Sequence, residues 1–294
     1  MSGLADAFAF LAMKALRVWS SRECLASVAV VTGLVAVTPW LKRSRIGAYW
    51  NRGLLTDAAY AAFYLGGIFS FLAAAPLQRL LNGFVTEFTP FLRQNLLSRL
   101  PAPVAFLGLF VVMDLFSYWA HRMSHAIAPL WLFHVVHHSQ ERLSALTNFR
   151  FHAGDIFFRS LVQFVPFTLL GAPQAAGMPL LWLTVPLTVF LESLAHCDLS
   201  WSFGPLGRLL VSPAFHRVHH SAEERHHHRN YGIAFSFWDR LFGTADDSRA
   251  QPVRYGAPDV SVPGSFLRQL AFPFVSLVHR AQGSVAAPSE TRLS

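Results

Sequence analysis

The sequence is poor in charge and in cysteine. Only 14% of its 294 residues are Asp, Glu, Lys or Arg, against 53% hydrophobic and 14% aromatic residues, a balance that soluble globular domains seldom show. It points to a chain embedded in a membrane. With two cysteines, Cys24 inside an apolar run and Cys197 beside His196, there is no disulfide framework, and a reducing, cytosol-facing site fits. No HExxH stretch occurs, so the usual arrangement of a zinc hydrolase is missing. Neither a nicotinamide or flavin fingerprint nor a haem-binding module is visible. The N-terminal stretch MSGLADAFAFLAMKALRVWSSRE lacks a basic region followed by a short apolar core and a small-residue cleavage site. That argues against a removed signal peptide and reads as an amphipathic lead-in. The net charge of +8 comes from arginines scattered beside apolar runs, with no lysine-rich tract or aromatic-basic alternation. Such a pattern excludes nucleic acid as partner and suits anionic lipid headgroups.

What is present is apolar runs. Residues 25–41 are free of charge, at the lower length limit for crossing a hydrocarbon core of about 30 Å. Lys42, Arg43, Arg45 and Arg52 follow, marking a cytoplasmic loop, and a second span covers residues 58–77, where Gly66 and Gly67 allow close helix packing. Residues 78–100 alternate apolar side chains with Arg79, Glu87, Arg93 and Arg99 and suit a helix lying on the membrane surface. Pro101 and Pro103 open a third span over residues 102–120, whose one ionisable residue is Asp114, a costly group at that depth and a functional candidate. Residues 156–191 form an apolar hairpin joined at Gly171 to Pro173, with no Lys or Arg between Arg159 and Arg208, so both of its ends face the cytoplasm. The expected architecture is an all-α, integral-membrane helical bundle of four or five spans forming a single membrane domain over residues 1–294. Residues 121–155 and 192–245 build a cytosolic cap. An amphipathic helix over residues 264–280 and a disordered tail over residues 281–294 complete it.

Of fourteen histidines, all but one lie between positions 121 and 228. His121 and His125 stand four apart; His134, His137 and His138 form one HxxHH, and His216, His219 and His220 another. Positions i, i+3 and i+4 share a helix face, so each block presents two or three imidazoles, and the proposed topology brings the blocks to one membrane face. His196, at the cytosolic end of the hairpin, makes nine. One metal rarely takes more than six ligands, so nine imidazoles imply two metals; imidazole suits iron, zinc, copper and nickel alike. A lone histidine at a helix end is more often an interfacial or hydrogen-bonded residue. His226, His227 and His228 in EERHHHRN read as a solvated loop, and His279 as interfacial.

HRMSH, HVVHHS and HRVHHS, followed by NYG at Asn230 to Gly232 and FWDRLFGT at Phe237 to Thr244, resemble the fatty acid hydroxylase and sterol desaturase superfamily of integral-membrane, non-haem di-iron oxygenases. Asp114, Tyr118 and Trp119 also fit, and the resemblance covers about residues 105–245. It implies that His121, His125, His134, His137, His138, His216, His219 and His220 bind two iron ions, and His196 is similar to the lone histidine that closes the site in relatives. It also implies O2 as co-substrate, a lipid substrate from the bilayer, and a separate protein as electron donor. The family's R-x-H-P-x-E stretch here reads Arg150-Phe151-His152-Ala153-Gly154-Asp155, without the proline and with aspartate in place of glutamate. Asp114 and Glu192 are candidates for tuning the metals, Glu192 standing where some membrane di-iron enzymes carry another histidine or an asparagine. His152, Asp198, His228 and Asn230 are candidates for contacting the ligands from outside.

The reaction this resemblance implies is hydroxylation of an unactivated C–H bond of a fatty acyl chain, sterol or ether lipid. A desaturase or an ether-lipid monooxygenase would use the same centre. A zinc membrane hydrolase would pair its histidines with a glutamate in HExxH, and a metal transporter would hold its ligands near the bilayer midplane.

Overall fold

The computed structural model describes residues 21–42, 52–97, 99–170, 181–248 and 252–282. Residues 1–20 of the N-terminal lead-in, Arg43 and Arg45, the Gly171–Pro173 joint and the tail beyond residue 282 lie outside the described residues. Helix α1, Arg22–Leu41, begins at Ser21, whose side chain accepts from Cys24 N at 3.2 Å. Its 20 residues reach about 30 Å at 1.5 Å per residue, the thickness of a hydrocarbon core. Leu25, Val28, Val37 and Trp40 point outward from it.

The expected straight span over residues 58–77 is instead broken. Helix α2, Arg52–Leu65, stops where Gly67 takes a φ of 74°, a left-handed conformation that glycine adopts without strain. A π-helical turn, Ser70–Ala74, then leads into α3, Ala75–Phe88, and the two limbs are bent by 47°. The surface helix expected over residues 78–100 is thus the distal part of α3 and ends at Phe88. The chain continues through a 3-10 turn, Pro90–Leu92, and donates Leu97 N to Leu170 O at 3.1 Å, satisfying a carbonyl that a helix end leaves open.

Helix α4, Ala102–Ala126, starts at its prolines and runs six residues past the expected end of the third span, carrying His121 and His125. Ile127, in an extended conformation, turns the chain into α5, Ala128–His138. Helices α6, Ala153–Leu170, and α7, Leu181–His196, are the limbs of the hairpin. α4 packs on α6, and α1 runs along α7. Ser212 caps the short α8, Pro213–His219, by accepting from Phe215 N at 3.2 Å. Then come α9, Phe237–Leu241, and α10, Phe266–Ala281. α10 is the amphipathic helix expected near the C-terminus: Leu267, Phe274 and Val278 are exposed, while it packs on α2 and α5.

No strand forms among the described residues, only two isolated bridges, so the protein is all-helical. Three described helices, α1, α4 and α6, are long and apolar enough to cross a membrane, or four spans if the bent pair α2–α3 counts as one; the apolar helix over Val185–His196 is shorter. An integral membrane protein follows, with four crossings supported more directly than five.

One buried charge pair locks the cap to this scaffold. Asp57 on α2, fully buried, accepts from Gln140 Nε2 at 2.6 Å, from Thr147 Oγ1 at 3.0 Å and from the Arg150 guanidinium, which also donates to Gly53 O at 2.7 Å. A buried pair persists when its remaining donors and acceptors are also satisfied. Here the network ties α2 to the loop that follows the second histidine block.

Candidate metal centre

The nine expected histidines meet at the cap and sort into two groups. His121, His125, His134, His138 and His219 form one, His137, His196, His216 and His220 the other, and in each group the donor atoms lie within 4.8 Å of one another. The sorting cuts across the sequence blocks. Successive residues on a helix stand about 100° apart, so the i, i+4 pair of an HxxHH looks one way and the i+3 member another. His134 and His138 therefore enter the first group while His137 enters the second. His216 and His220 enter the second while His219 enters the first. The expectation that each block aims in one direction gives way to an interleaved arrangement.

The outer nitrogens are held. Three rings of the first group have their Nδ1 bonded: His121 to Tyr231 O at 2.8 Å, His134 to Asp155 Oδ2 at 3.1 Å and His219 to Arg229 O at 2.8 Å. In the second, His196 Nδ1 bonds Glu192 O at 2.7 Å. The Nε2 atoms of all five first-group histidines are buried without a partner, which is the state an imidazole keeps for a metal when its other nitrogen is anchored. In the second group the Nε2 atoms converge: His137 and His196 at 3.2 Å, His196 and His216 at 3.0 Å, His196 and His220 at 3.2 Å, His216 and His220 at 3.2 Å. Ligands sharing one tetrahedral ion at about 2.0–2.1 Å would stand about 3.3 Å apart, so the four nitrogens fit a common ion. Burial holds the cap histidines in the neutral, ligating form. It pushes His219 down to about 3, and His137, His138, His216 and His220 fall well below the ordinary 6.5 from burial and then from neighbouring histidines. For His134, burial outweighs the opposing pull of Asp155.

The other candidates divide. Asp114 accepts from Ala234 N at 2.9 Å, Phe235 N at 3.1 Å and Trp238 Nε1 at 3.0 Å, and so fastens the chain after Tyr231 to α4. Asn230, at a φ of 61°, donates to Phe215 O and Asp246 O, both at 2.9 Å. It thereby fixes the segment whose flanking carbonyls, Arg229 and Tyr231, orient His219 and His121. Asp239 of FWDRLFGT completes that clamp, accepting from Tyr231 N at 2.7 Å and Gly232 N at 2.8 Å. A Cβ on Gly232 would stand 2.6 Å from Phe235 O, so the NYG glycine is sterically required. His152 bonds Leu270 O and Gly154 N, both at 2.9 Å, and so faces α10 and the start of α6. Asp198 pairs with Lys42 and with Arg217. His228 lies 3.4 Å from the Tyr231 hydroxyl. His226, expected in a solvated loop, is buried and bonds Ser221 Oγ at 2.9 Å.

Asp155, noted in the sequence only as the aspartate that stands for the glutamate of R-x-H-P-x-E, contacts a histidine directly. It also accepts from Ser124 Oγ at 3.0 Å and Arg159 Nε at 3.2 Å.

A cavity of about 240 Å³ opens beside the histidines, walled by His121, His137, His196 and His216 with Arg159 and Glu192. Further back along α4 it adjoins a second cavity of about 350 Å³ lined by apolar side chains such as Phe106, Phe110, Met113, Phe167 and Leu191. Ser117, Gln163, Glu192 and Ile233 line both.

Fold and site together define an integral-membrane helical protein with a paired polyhistidine centre fit to hold metal. Residues 106–244 match the fatty acid hydroxylase family, and the relatives to which the chain is similar support the fatty acid hydroxylase and sterol desaturase superfamily for that segment. It is 37% identical over 179 residues to ornithine lipid hydroxylase OlsE of Rhizobium tropici, covering 58% of this chain and 51% of that protein. It is 33% identical over 141 residues to alkylglycerol monooxygenase of Danio rerio, covering 48% and 29%. Against methylsterol monooxygenase 2-2 of Arabidopsis thaliana it is 31% identical over 142 residues, covering 46% and 50%. The chain thus spans about half or less of the length of these relatives. No solved structure matches.

Proposed function

We propose that this protein is a di-iron lipid hydroxylase acting within the membrane as one structural unit, its metal site facing the cytoplasm. The observation that supports this reading is the pairing of nine histidines in two groups with a cavity beside them that shares four wall residues with a largely apolar chamber among α4, α6 and α7. The first group would hold one iron and the second the other. Bound there, the two irons would supply what no side chain can, the activation of O2 for attack on an unactivated C–H bond. Overall, R–H, O2, two electrons and two protons become R–OH and water, and the electrons come from a separate protein.

The chain's own residues supply geometry and dryness. Tyr231 O, Arg229 O, Asp155 and Glu192 O fix the ring orientations of His121, His219, His134 and His196. The apolar chamber admits an alkyl chain from the bilayer, and the Glu192 carboxyl, on the wall shared by both cavities, borders the place where that chain meets the histidines. There its charge would favour the higher oxidation state of the metals. The names of the relatives, a lipid hydroxylase and two monooxygenases acting on an alkylglycerol and a methylsterol, support lipid hydroxylation over desaturation.

The test is metal analysis of the purified full chain with O2 uptake in the presence of membrane lipids and a reductant, followed by mass spectrometry of the lipids. About two irons per chain and lipid gaining one oxygen atom are expected. Tightly held zinc with hydrolysis of a model ester, or metal flux into liposomes, would overturn the reading. Glu192→Gln should lower turnover while iron stays bound; unchanged turnover would remove Glu192 from the site.

A further inference from the structure

The second turn of α6 places a guanidinium inside the cavity beside the histidines. Arg159 Nε is engaged by Asp155 Oδ2 at 3.2 Å, and the guanidinium carbon lies 5.0 Å from the centroid of the Phe151 ring. Nη2, by contrast, is buried with no hydrogen-bond partner. Arginine stays charged and carries no acceptor of its own, so a buried N–H pair of this kind is costly unless an oxygen reaches it. The cavity it faces is its polar surrounding: Asn148, Ser160, Gln163 and Glu192 line it with the histidines. The adjoining chamber is lined mainly by apolar side chains, with Asp114 and Thr188 and the shared Ser117, Gln163 and Glu192 as its polar groups, and carries no histidine.

On the hydroxylase reading, we infer that Arg159 is the seat for an oxygen of the lipid's polar part, a carbonyl, carboxylate or phosphate oxygen, with the alkyl chain laid in the apolar chamber. The consequence is a rule for where the lipid is oxidised. Carbons deep in the apolar chamber are away from every histidine, whereas those next to an oxygen held by Arg159 share its cavity with His121, His137, His196 and His216. The carbon attacked therefore lies near the polar end of the lipid, not at the tip of its chain. Arg159 binds and positions; the chemistry stays with the metals.

Binding tests this without turnover. Full-length, iron-loaded protein in a neutral detergent would be titrated with myristate, methyl myristate and tetradecane, with the unfolding temperature as readout. Oxygen-bearing probes should stabilise the protein and tetradecane should not; stabilisation by myristate alone assigns an anionic head, and by both assigns a carbonyl. Arg159→Gln should weaken those probes about ten- to a hundredfold, the range for a hydrogen bond to a charged group, at unchanged iron content. Because Arg159 also touches Asp155, a second variant is needed. Ser160→Phe fills the same cavity while leaving the Arg159–Asp155 contact alone, and it should give the same loss. Tetradecane binding as tightly as myristate, or both variants binding the oxygen-bearing probes undiminished, overturns the assignment and leaves the oxygenase reading intact. A wild-type protein that holds no iron overturns that reading instead.

Discussion

Replacing Asp155 by asparagine tests how the first histidine group is held. Asp155 is buried on the inner face of α6, where three donors converge on its carboxylate: His134 Nδ1 at 3.1 Å, Ser124 Oγ at 3.0 Å and Arg159 Nε at 3.2 Å. His134 and Arg159 share Oδ2 while Ser124 meets Oδ1, so asparagine can keep its one acceptor oxygen for the imidazole and the guanidinium and turn its NH2 to the serine, whose hydroxyl rotates to accept; what it loses is the negative charge. A hydrogen bond to a charged group is worth about 1.5–3 kcal/mol against about 0.5–1.5 kcal/mol for a neutral one, and disturbing the anchor of a ligating histidine weakens metal binding roughly 10–100-fold. The two figures agree, since about 1.4 kcal/mol is tenfold. Competition of the full-length protein with a graded series of iron chelators should show one of the two irons leaving at a correspondingly lower chelator strength. Ser124→Ala, which removes only a neutral donor, should cost about 1 kcal/mol of stability or less and leave iron affinity nearly unchanged. Wild-type iron affinity in Asp155→Asn would refute the anchoring role and with it the sorting of His134 into a metal-bearing group.

The interleaving makes a sharper stoichiometric prediction: His134→Ala and His137→Ala, three residues apart, should each lower iron toward one per chain from different groups, so the double variant should hold almost none, whereas equal content in all three would contradict two separate groups. Gly232→Ala drives a methyl to 2.6 Å from Phe235 O and should displace the carbonyls that orient His121 and His219, so iron measured by mass spectrometry should fall from the first group only. Acid should destabilise the metal-free cap. His219 is pushed down to about 3 from an ordinary 6.5, so the unfolded chain takes up its proton first, and stability is complete above about pH 6.5 and falls as pH drops from there toward 3 at up to about 1.4 kcal/mol per pH unit for each such histidine. An unfolding temperature unchanged between pH 7 and 5 would be inconsistent with buried, neutral histidines.

That the nine histidines come together was readable from the spacing of the blocks and the order of the apolar runs. Both are one-dimensional signals. Which histidine joins which group was not readable, because it depends on the 100° step around a helix axis and on how α5 and α8 approach one another. Asp57 and Arg150 stand 93 positions apart and carry no local pattern, so their pairing needed the fold. The break at Gly67 is a reverse case. The glycines suggested close packing of a straight span, but a left-handed residue followed by a π-helical turn bends the chain by 47°. Asp114 was singled out because a carboxylate in an apolar helix asks for a partner. The partner proved to be two backbone amides and an indole from the segment around residue 235, so the reasoning was sound about cost and silent about direction.

The same unpaired nitrogens that fit a metal also bear on how the cap folds. Five ring nitrogens of the first group, the Nε2 atoms of His121, His125, His134, His138 and His219, are buried without a hydrogen-bond partner. At about 1–3 kcal/mol for each unsatisfied buried group, they weigh against folding by an amount on the order of a whole domain's stability. Ligation satisfies one nitrogen per ring, and each group draws its ligands from α4, α5 and α8 or from α5, α7 and α8, so one ion bridges three helices at once. Metal binding and closure of the cap are then a single equilibrium. Helix α1, long and apolar enough to cross a membrane, contributes no histidine to either group and folds without that term. Chelation should therefore raise hydrogen exchange across α5 and α8 while leaving the amides of α1 protected, and uniform loosening of both would mean that the ions only occupy a scaffold already closed.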